Sequence, residues 1–282
     1  MRIRYFKFFL LAILFSVYLP AFSQEDDTTA DITEEDNDSI SVDTTLVPIS
    51  TKPWPENIRQ RLNSLLQNDM FRTSQLGLEV YDLTDDSLIF EFNRQQRMRP
   101  ASTMKLITSI SAINTLGGGY QFRTQLYYTG TVNNKTLTGN VYCVGGFDPR
   151  FNSDDMNAFV ESIRKMGVDT IRGSLFADLS MKDADRLGNG WCWDDDEDPL
   201  SPLLISRKDT FMRRFISELR ETGVIVDSTS SERQLPGGAY LLCTRFHTID
   251  QILMRMMKES DNLYAESMFY QIAASTGSHP AT

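Results

Sequence analysis

The chain has 282 residues, 41% hydrophobic and 11% aromatic, enough to bury a core in one large or two small domains, so its body is globular rather than fibrous or wholly disordered. Its net charge of −10 comes without any basic stripe that could neutralise phosphates, which excludes nucleic acid as a partner. Two histidines, His247 and His279, and three scattered cysteines, Cys143, Cys192 and Cys243, lack the close spacing of metal ligands, so no metal or other cofactor is expected.

At the N-terminus Arg2, Arg4 and Lys7 precede an apolar run from Phe8 to Phe22 that ends in the small residues around Ala21 and Ser23. This is the pattern of a signal peptide over 1–23, because the run falls short of the ~20 residues a membrane span needs. Export to the periplasm or cell envelope follows. Residues 24–50 hold nine Asp or Glu and no Lys, Arg or aromatic residue, and read as a disordered acidic tether. The leader carries +3 and the tether −9, so residues 51–282 hold only −4 of the net charge. In an oxidising compartment the three cysteines allow one disulfide with one thiol left over; three buried thiols are the equal alternative, and spacing does not choose between them.

Beyond the tether, Ile58, Leu62, Leu65 and Leu66 recur at helical spacing and predict an amphipathic helix over 56–66 that packs on a sheet. Two apolar runs, 76–83 and 87–92, flank Thr84-Asp85-Asp86 and predict a hairpin. After Arg99-Pro100-Ala101-Ser102 the period changes: Met104, Leu106, Ile107, Ile110, Ile113 and Leu116 predict a helix, stopped by Gly117-Gly118-Gly119, whose apolar circumference points to a central, buried position. Alternating runs from 125 to 144 around Asn133-Asn134-Lys135 predict a second hairpin, followed by a helix over 156–166 and a strand over 170–177. Phe211, Phe215 and Leu219 mark a helix over 211–222. The last two helices, 249–257 and 263–273, are separated by Ser260-Asp261-Asn262. Interleaved helices and hairpins give an α+β (α/β) class.

Two short motifs can carry chemistry. Ser102-Thr103-Met104-Lys105 opens a helix, where an i, i+3 pair projects from one face and brings the lysine amine to the serine hydroxyl. Burial beside a helix N-terminus can lower a lysine's proton affinity enough for it to act as the serine's base. Ser162-Ile163-Arg164-Lys165 repeats the spacing in mid-helix on a solvated surface and reads as incidental. In Ser260-Asp261-Asn262 the serine can relay a proton and the asparagine amide can hold the lysine and a substrate carbonyl. Taken alone, that tripeptide reads as a helix N-cap before it reads as a catalytic motif. Serine-lysine and Ser-Asp-Asn motifs in this order belong to one set in active-site serine enzymes.

With Thr138-Gly139-Asn140-Val141-Tyr142, the turn Gly145-Gly146-Phe147-Asp148-Pro149, Ile171-Arg172-Gly173 and Gly190-Trp191-Cys192-Trp193-Asp194-Asp195, the chain resembles the class C low-molecular-mass penicillin-binding proteins, the D-alanyl-D-alanine carboxypeptidase/endopeptidase family. The resemblance implies a β-lactamase/transpeptidase-like serine DD-peptidase domain over 51–127 and 244–282, interrupted by a strand-rich inserted domain over 128–243. It implies Ser102 as nucleophile, Lys105 as base, Ser260 as a proton relay and Asn262 as a substrate-binding group. Peptidoglycan stem peptides are then the substrate and β-lactams the covalent inhibitors, with peripheral membrane association as a further expectation. The pattern departs at Phe147, where the family usually has glycine, so Asp148 receives no site role. It also departs at the C-terminus, since no Lys-Thr-Gly precedes Thr282. That motif would supply an oxyanion donor worth about 10²–10³ in rate, so the transpeptidase-like domain is expected to be incomplete and this polypeptide alone inactive. The rival readings are a β-lactamase-like hydrolase and a non-catalytic peptidoglycan-binding envelope protein.

Overall fold

The computed structural model describes residues 53–191, 199–227, 229–277 and 280–281. The predicted signal peptide, the predicted tether and the Cys192–Asp195 part of the aromatic-acidic landmark lie outside the described residues. Two compact units divide near Gln95.

In the first unit, helix α1 (Trp54–Leu65) lies against the hairpin β1 (Leu78–Asp82) and β2 (Ser87–Phe92), and Arg59 Nε donates to the Ile89 carbonyl at 2.7 Å. The predicted turn is present: the Asp82 carboxylate accepts from the Thr84 and Asp85 amides, and Asp86 takes φ 50°. Short polar side chains tolerate that left-handed backbone and bond locally, which is why Asp-rich sequences reverse the chain.

The second unit starts with a single 3-10 turn, Ala101–Thr103, that runs into α2 (Met104–Leu116). Strand β3 (Gln121–Tyr128) follows, then a tight hairpin of β4 (Thr131–Asn133) and β5 (Thr136–Thr138), then β6 (Val141–Val144). The predicted second hairpin is therefore four short strands. Its tip, Asn134-Lys135, takes φ 45° and 61°, the left-handed pair that matches strand twist in a two-residue hairpin. After α3 (Ser153–Lys165), the strand expected over 170–177 is broken into β7 (Thr170–Arg172) and β8 (Leu175–Asp178). The break sits at Gly173, which presses so closely on Gly139 that a Cβ would lie 1.9 Å from the Gly139 carbonyl oxygen. The remaining elements are α4 (Phe211–Glu221), β9 (Ser230–Glu232), β10 (Tyr240–Thr248), α5 (Ile249–Lys258) and α6 (Asn262–Ser275).

A five-stranded sheet runs in the order β10-β3-β6-β8-β9, antiparallel across its first three strands and parallel across the rest; β4-β5-β7 form a smaller sheet. One core fills the space between these strands and the apolar faces of α3 and α4, with Phe151, Phe159, Phe211 and Phe215 in edge and tilted contact. A second core gathers Ala112 of α2, Phe122, Phe147, Ile252 and Met256 of α5, and Leu263 and Met268 of α6. Strand β3 contributes to both cores, since Leu126 lies in the first and Phe122 in the second. Cys143 and Cys243 are unbridged. Both are paired with Leu126, on opposite sides of β3, so two strand spacings of ~4.8 Å separate them, beyond the reach of a disulfide.

Helix α2 departs from expectation. Only Lys105 and Ala112 are buried, and Met104, Ile107, Ile110 and Ile113 are about half exposed. Among the described residues α2 packs on α5 and α6 through one side. An apolar circumference records what a helix can bury, not which faces meet a neighbour.

Candidate active site

The site is assembled where the start of α2 meets the α5–α6 junction. Lys105 lies in the first turn of α2, one helical step beyond Ser102 in the 3-10 turn, and its Nζ donates to Ser102 Oγ at 3.1 Å. It also donates to Ser260 Oγ at 3.3 Å and to Asn262 Oδ1 at 2.7 Å. The three donors of an ammonium group are thereby used, and all three partners are sequence-predicted site residues. Ser260 Oγ in turn donates to Ser102 Oγ at 2.7 Å. Lys105 is 7% exposed whereas Ser102, Ser260 and Asn262 are exposed, so the lysine sits beneath hydroxyls that a substrate can reach. The other serine-lysine pair behaves differently: Ser162 Oγ donates to the Ala158 carbonyl of its own helix, and Lys165 is exposed.

The α5–α6 junction is locally strained. Ser260 takes φ 54°, a left-handed backbone that costs a non-glycine residue about 1–3 kcal/mol and persists only where the surroundings impose it. Asp261, which sequence reasoning left without a role, supplies the constraint. It is the N-cap of α6, accepting from the Tyr264 amide at 3.4 Å, and its other oxygen accepts from Arg207 Nη1 at 2.5 Å and Arg255 Nε at 2.8 Å. Burial works to raise its proton affinity, and the two guanidiniums outweigh that effect, holding the carboxyl below the ordinary carboxylate range. The N-cap reading of the tripeptide falls to Asp261, while Ser260 and Asn262 are the two residues that meet Lys105. Arg207 carried no sequence signal, lying 54 positions from its partner.

Phe147, the departure from the family pattern, takes φ 47°. The backbone retains the conformation that glycine adopts freely, at a cost of about 1–2 kcal/mol. Its fully buried ring stacks on Tyr270 with centroids 5.7 Å apart, and such burial contributes about 1.5–3 kcal/mol, enough to offset the strain. Asp148 beside it is buried and bonded to His247 Nδ1 at 2.7 Å; burial pushes its carboxyl up and the histidine partly counteracts this. It serves the joint between β6 and β10 and does not reach the serine cluster. Among the described residues no group of three potential metal ligands is present.

A serine backed by a buried lysine at the head of a helix, with a second serine and an asparagine closing the cluster, is the arrangement expected of the active-site-serine class whose members include the penicillin-binding proteins. The D-Ala-D-Ala carboxypeptidase 3 (S13) family model matches residues 58–206 and 205–282. The chain belongs to that family, the class C low-molecular-mass penicillin-binding proteins. It is 28% identical over 140 residues to a D-alanyl-D-alanine carboxypeptidase of Actinomadura sp. (strain R39), covering 50% of this chain and 26% of that protein. It is 29% identical over 122 residues to the D-alanyl-D-alanine carboxypeptidase DacB of Haemophilus influenzae, covering 43% and 26%. The aligned stretches thus span about a quarter of the length of these curated relatives. The crystal structure of penicillin binding protein 4 (dacB) from Haemophilus influenzae superposes with a TM-score of 0.67 at 21% identity, covering 73% of this chain and 64% of that one. The same protein complexed with a β-lactam gives a TM-score of 0.58 at 21% identity, covering 72% and 62%.

Proposed function

We propose that the protein is a serine-type D-Ala-D-Ala carboxypeptidase/endopeptidase acting on peptidoglycan stem peptides. The observation that carries this reading is the convergence of Lys105 Nζ on Ser102, Ser260 and Asn262. In the neutral amine, two N–H groups remain on Asn262 and Ser260 while the lone pair faces Ser102 Oγ, the arrangement a general base requires. Lys105 takes the Ser102 proton as Oγ attacks the carbonyl of the scissile D-Ala-D-Ala bond, and the lysine then returns that proton through Ser260 to the departing amine. D-alanine leaves, and an ester joins Ser102 to the stem peptide. Water hydrolyses the ester with the same base. Asn262 orients the lysine and the substrate carbonyl. A β-lactam acylates the same serine, and its opened ring keeps the leaving group tethered, so the adduct persists.

The basic and apolar pattern of residues 1–23 supports export to the periplasm or envelope, with the described residues as the enzyme body. Residues 128–243 are assigned to the inserted domain; the first core, which draws on residues 126–226, supports this, while Phe147, Leu200 and Leu204 pack in the second core. Residues 51–127 and 244–282 belong to the transpeptidase-like domain.

The test is release of D-alanine from a stem pentapeptide by the full-length protein, including any coding sequence that follows Thr282. Release that disappears in Ser102→Ala is expected. A folded wild type that releases none would remove the reading.

A further inference from the structure

The carboxylate of Asp261 lies between Ser260 and Asn262, yet it touches neither Ser102 nor Lys105. Its side chain is 5% exposed, and a single oxygen, Oδ2, accepts from two arginines that reach it from opposite parts of the unit. Arg255 comes from the last turn of α5, whose inner face belongs to the second core and whose guanidinium also lies over the Tyr264 ring at 5.1 Å. Arg207 comes from the tight turn closed by the pairing of Ile205 with Lys208, in which Ser206 and Arg207 both take left-handed φ, 47° and 70°. That turn is anchored on the first core: Ile205 is buried there, and the Ser206 amide donates to the Phe151 carbonyl at 2.8 Å.

With Oδ1 held by the Tyr264 amide and Oδ2 by two cations, the carboxylate is oriented from three directions. Anchoring this N-cap side chain restrains the backbone at the start of α6, and the residues on either side of Asp261 are the two that meet Lys105. Resting on the serine-enzyme reading above, we infer that Arg207 is a positioning residue of the active site. It ties Ser260 and Asn262 to the first core by holding the carboxylate between them. The placement of the second catalytic motif relative to Ser102 and Lys105 therefore depends on a turn more than fifty residues upstream.

The test uses the full-length protein and a chromogenic β-lactam, resolving the acylation rate at saturation from the apparent binding constant. Rates are normalised to the fraction of molecules that end up labelled at Ser102. Arg207→Ala is expected to slow saturated acylation about 10²-fold, the scale of a 1 Å misplacement, with binding altered only a few-fold. Arg207→Lys keeps a cation near Oδ2 and is expected to recover at least a tenth of the lost rate. Should Arg207→Ala fail to fold, Arg207→Gln and Arg207→Lys are ranked by the same rate. An unchanged normalised rate, with the loss confined to melting temperature or labelled fraction, would make the arginine merely structural and overturn the inference. A wild type that does not label at Ser102 would remove the serine-enzyme reading, and this inference with it. A wild type that labels while the Arg207 variants match it removes this inference alone.

Discussion

Replacing Asn262 by aspartate separates two accounts of its place beside Lys105. As the first residue of α6 it occupies a helix N-terminus, where an added carboxylate stabilises by about 0.3–1 kcal/mol, so the variant folds at least as well as wild type. The aspartate oxygen inherits the position now 2.7 Å from Lys105 Nζ. Two unit charges ~4 Å apart at an effective dielectric constant of ~20 attract by about 4 kcal/mol, and the carboxylate stabilises the ammonium form by that order. If the neutral amine must take the Ser102 proton, acylation slows roughly 10³-fold at neutral pH, since 1.36 kcal/mol is a factor of ten. Asn262→Ala adds no charge, and losing its hydrogen bond with the neutral amine, about 0.5–1.5 kcal/mol, is expected to slow acylation about 2- to 10-fold. The assay is the pseudo-first-order labelling rate with a fluorescent penicillin across pH 6 to 10, with thermal melts as the fold control. The aspartate variant should be the slower of the two at pH 7 and regain rate as pH rises. An aspartate variant as fast as the alanine variant at every pH would refute the base assignment for Lys105.

Other consequences concern stability. Phe159 is fully buried among three aromatic rings of the first core, so Phe159→Ala is expected to cost about 3–5 kcal/mol in denaturant unfolding. A cost under about 1 kcal/mol would mean that this core relaxes around the cavity. The Asp261 carboxyl is held below its unfolded value, so its ionised form contributes stability that is complete above the unfolded pKa of about 3.9 and lost as pH falls through the lower folded value. The stability gap between wild type and Asp261→Asn should therefore be constant from pH 7 to 5 and close below pH 4. A gap that persists unchanged at pH 3 would contradict the ion-pair account.

Much of this was legible in the sequence because local rules and tertiary packing agree. The helical stripe of Phe211, Phe215 and Leu219 is buried as its spacing requires, and the chain turns at Thr84-Asp85-Asp86 because the Asp82 carboxylate just before it accepts from the Thr84 and Asp85 amides. Ser102 and Lys105 meet because i, i+3 residues on a helix are neighbours. What escaped was long-range. The approach of Gly173 to Gly139, which splits one predicted strand into two, depends on a partner 34 residues away. The exposure of Ile107, Ile110 and Ile113 depends on which side of α2 meets α5 and α6, and periodicity is silent on that. The Arg207–Asp261 pair belongs to the same class: each residue is unremarkable alone, and only the fold brings them together.

The central claim, that Ser102 is a nucleophile activated by Lys105, is tested most directly by intact-mass and peptide-level detection of a covalent penicillin adduct on the full-length protein. The account predicts one adduct per chain, mapped to Ser102, abolished by Ser102→Ala and undiminished by Ser162→Ala. An adduct that survives Ser102→Ala, or a folded protein that forms none, would contradict it.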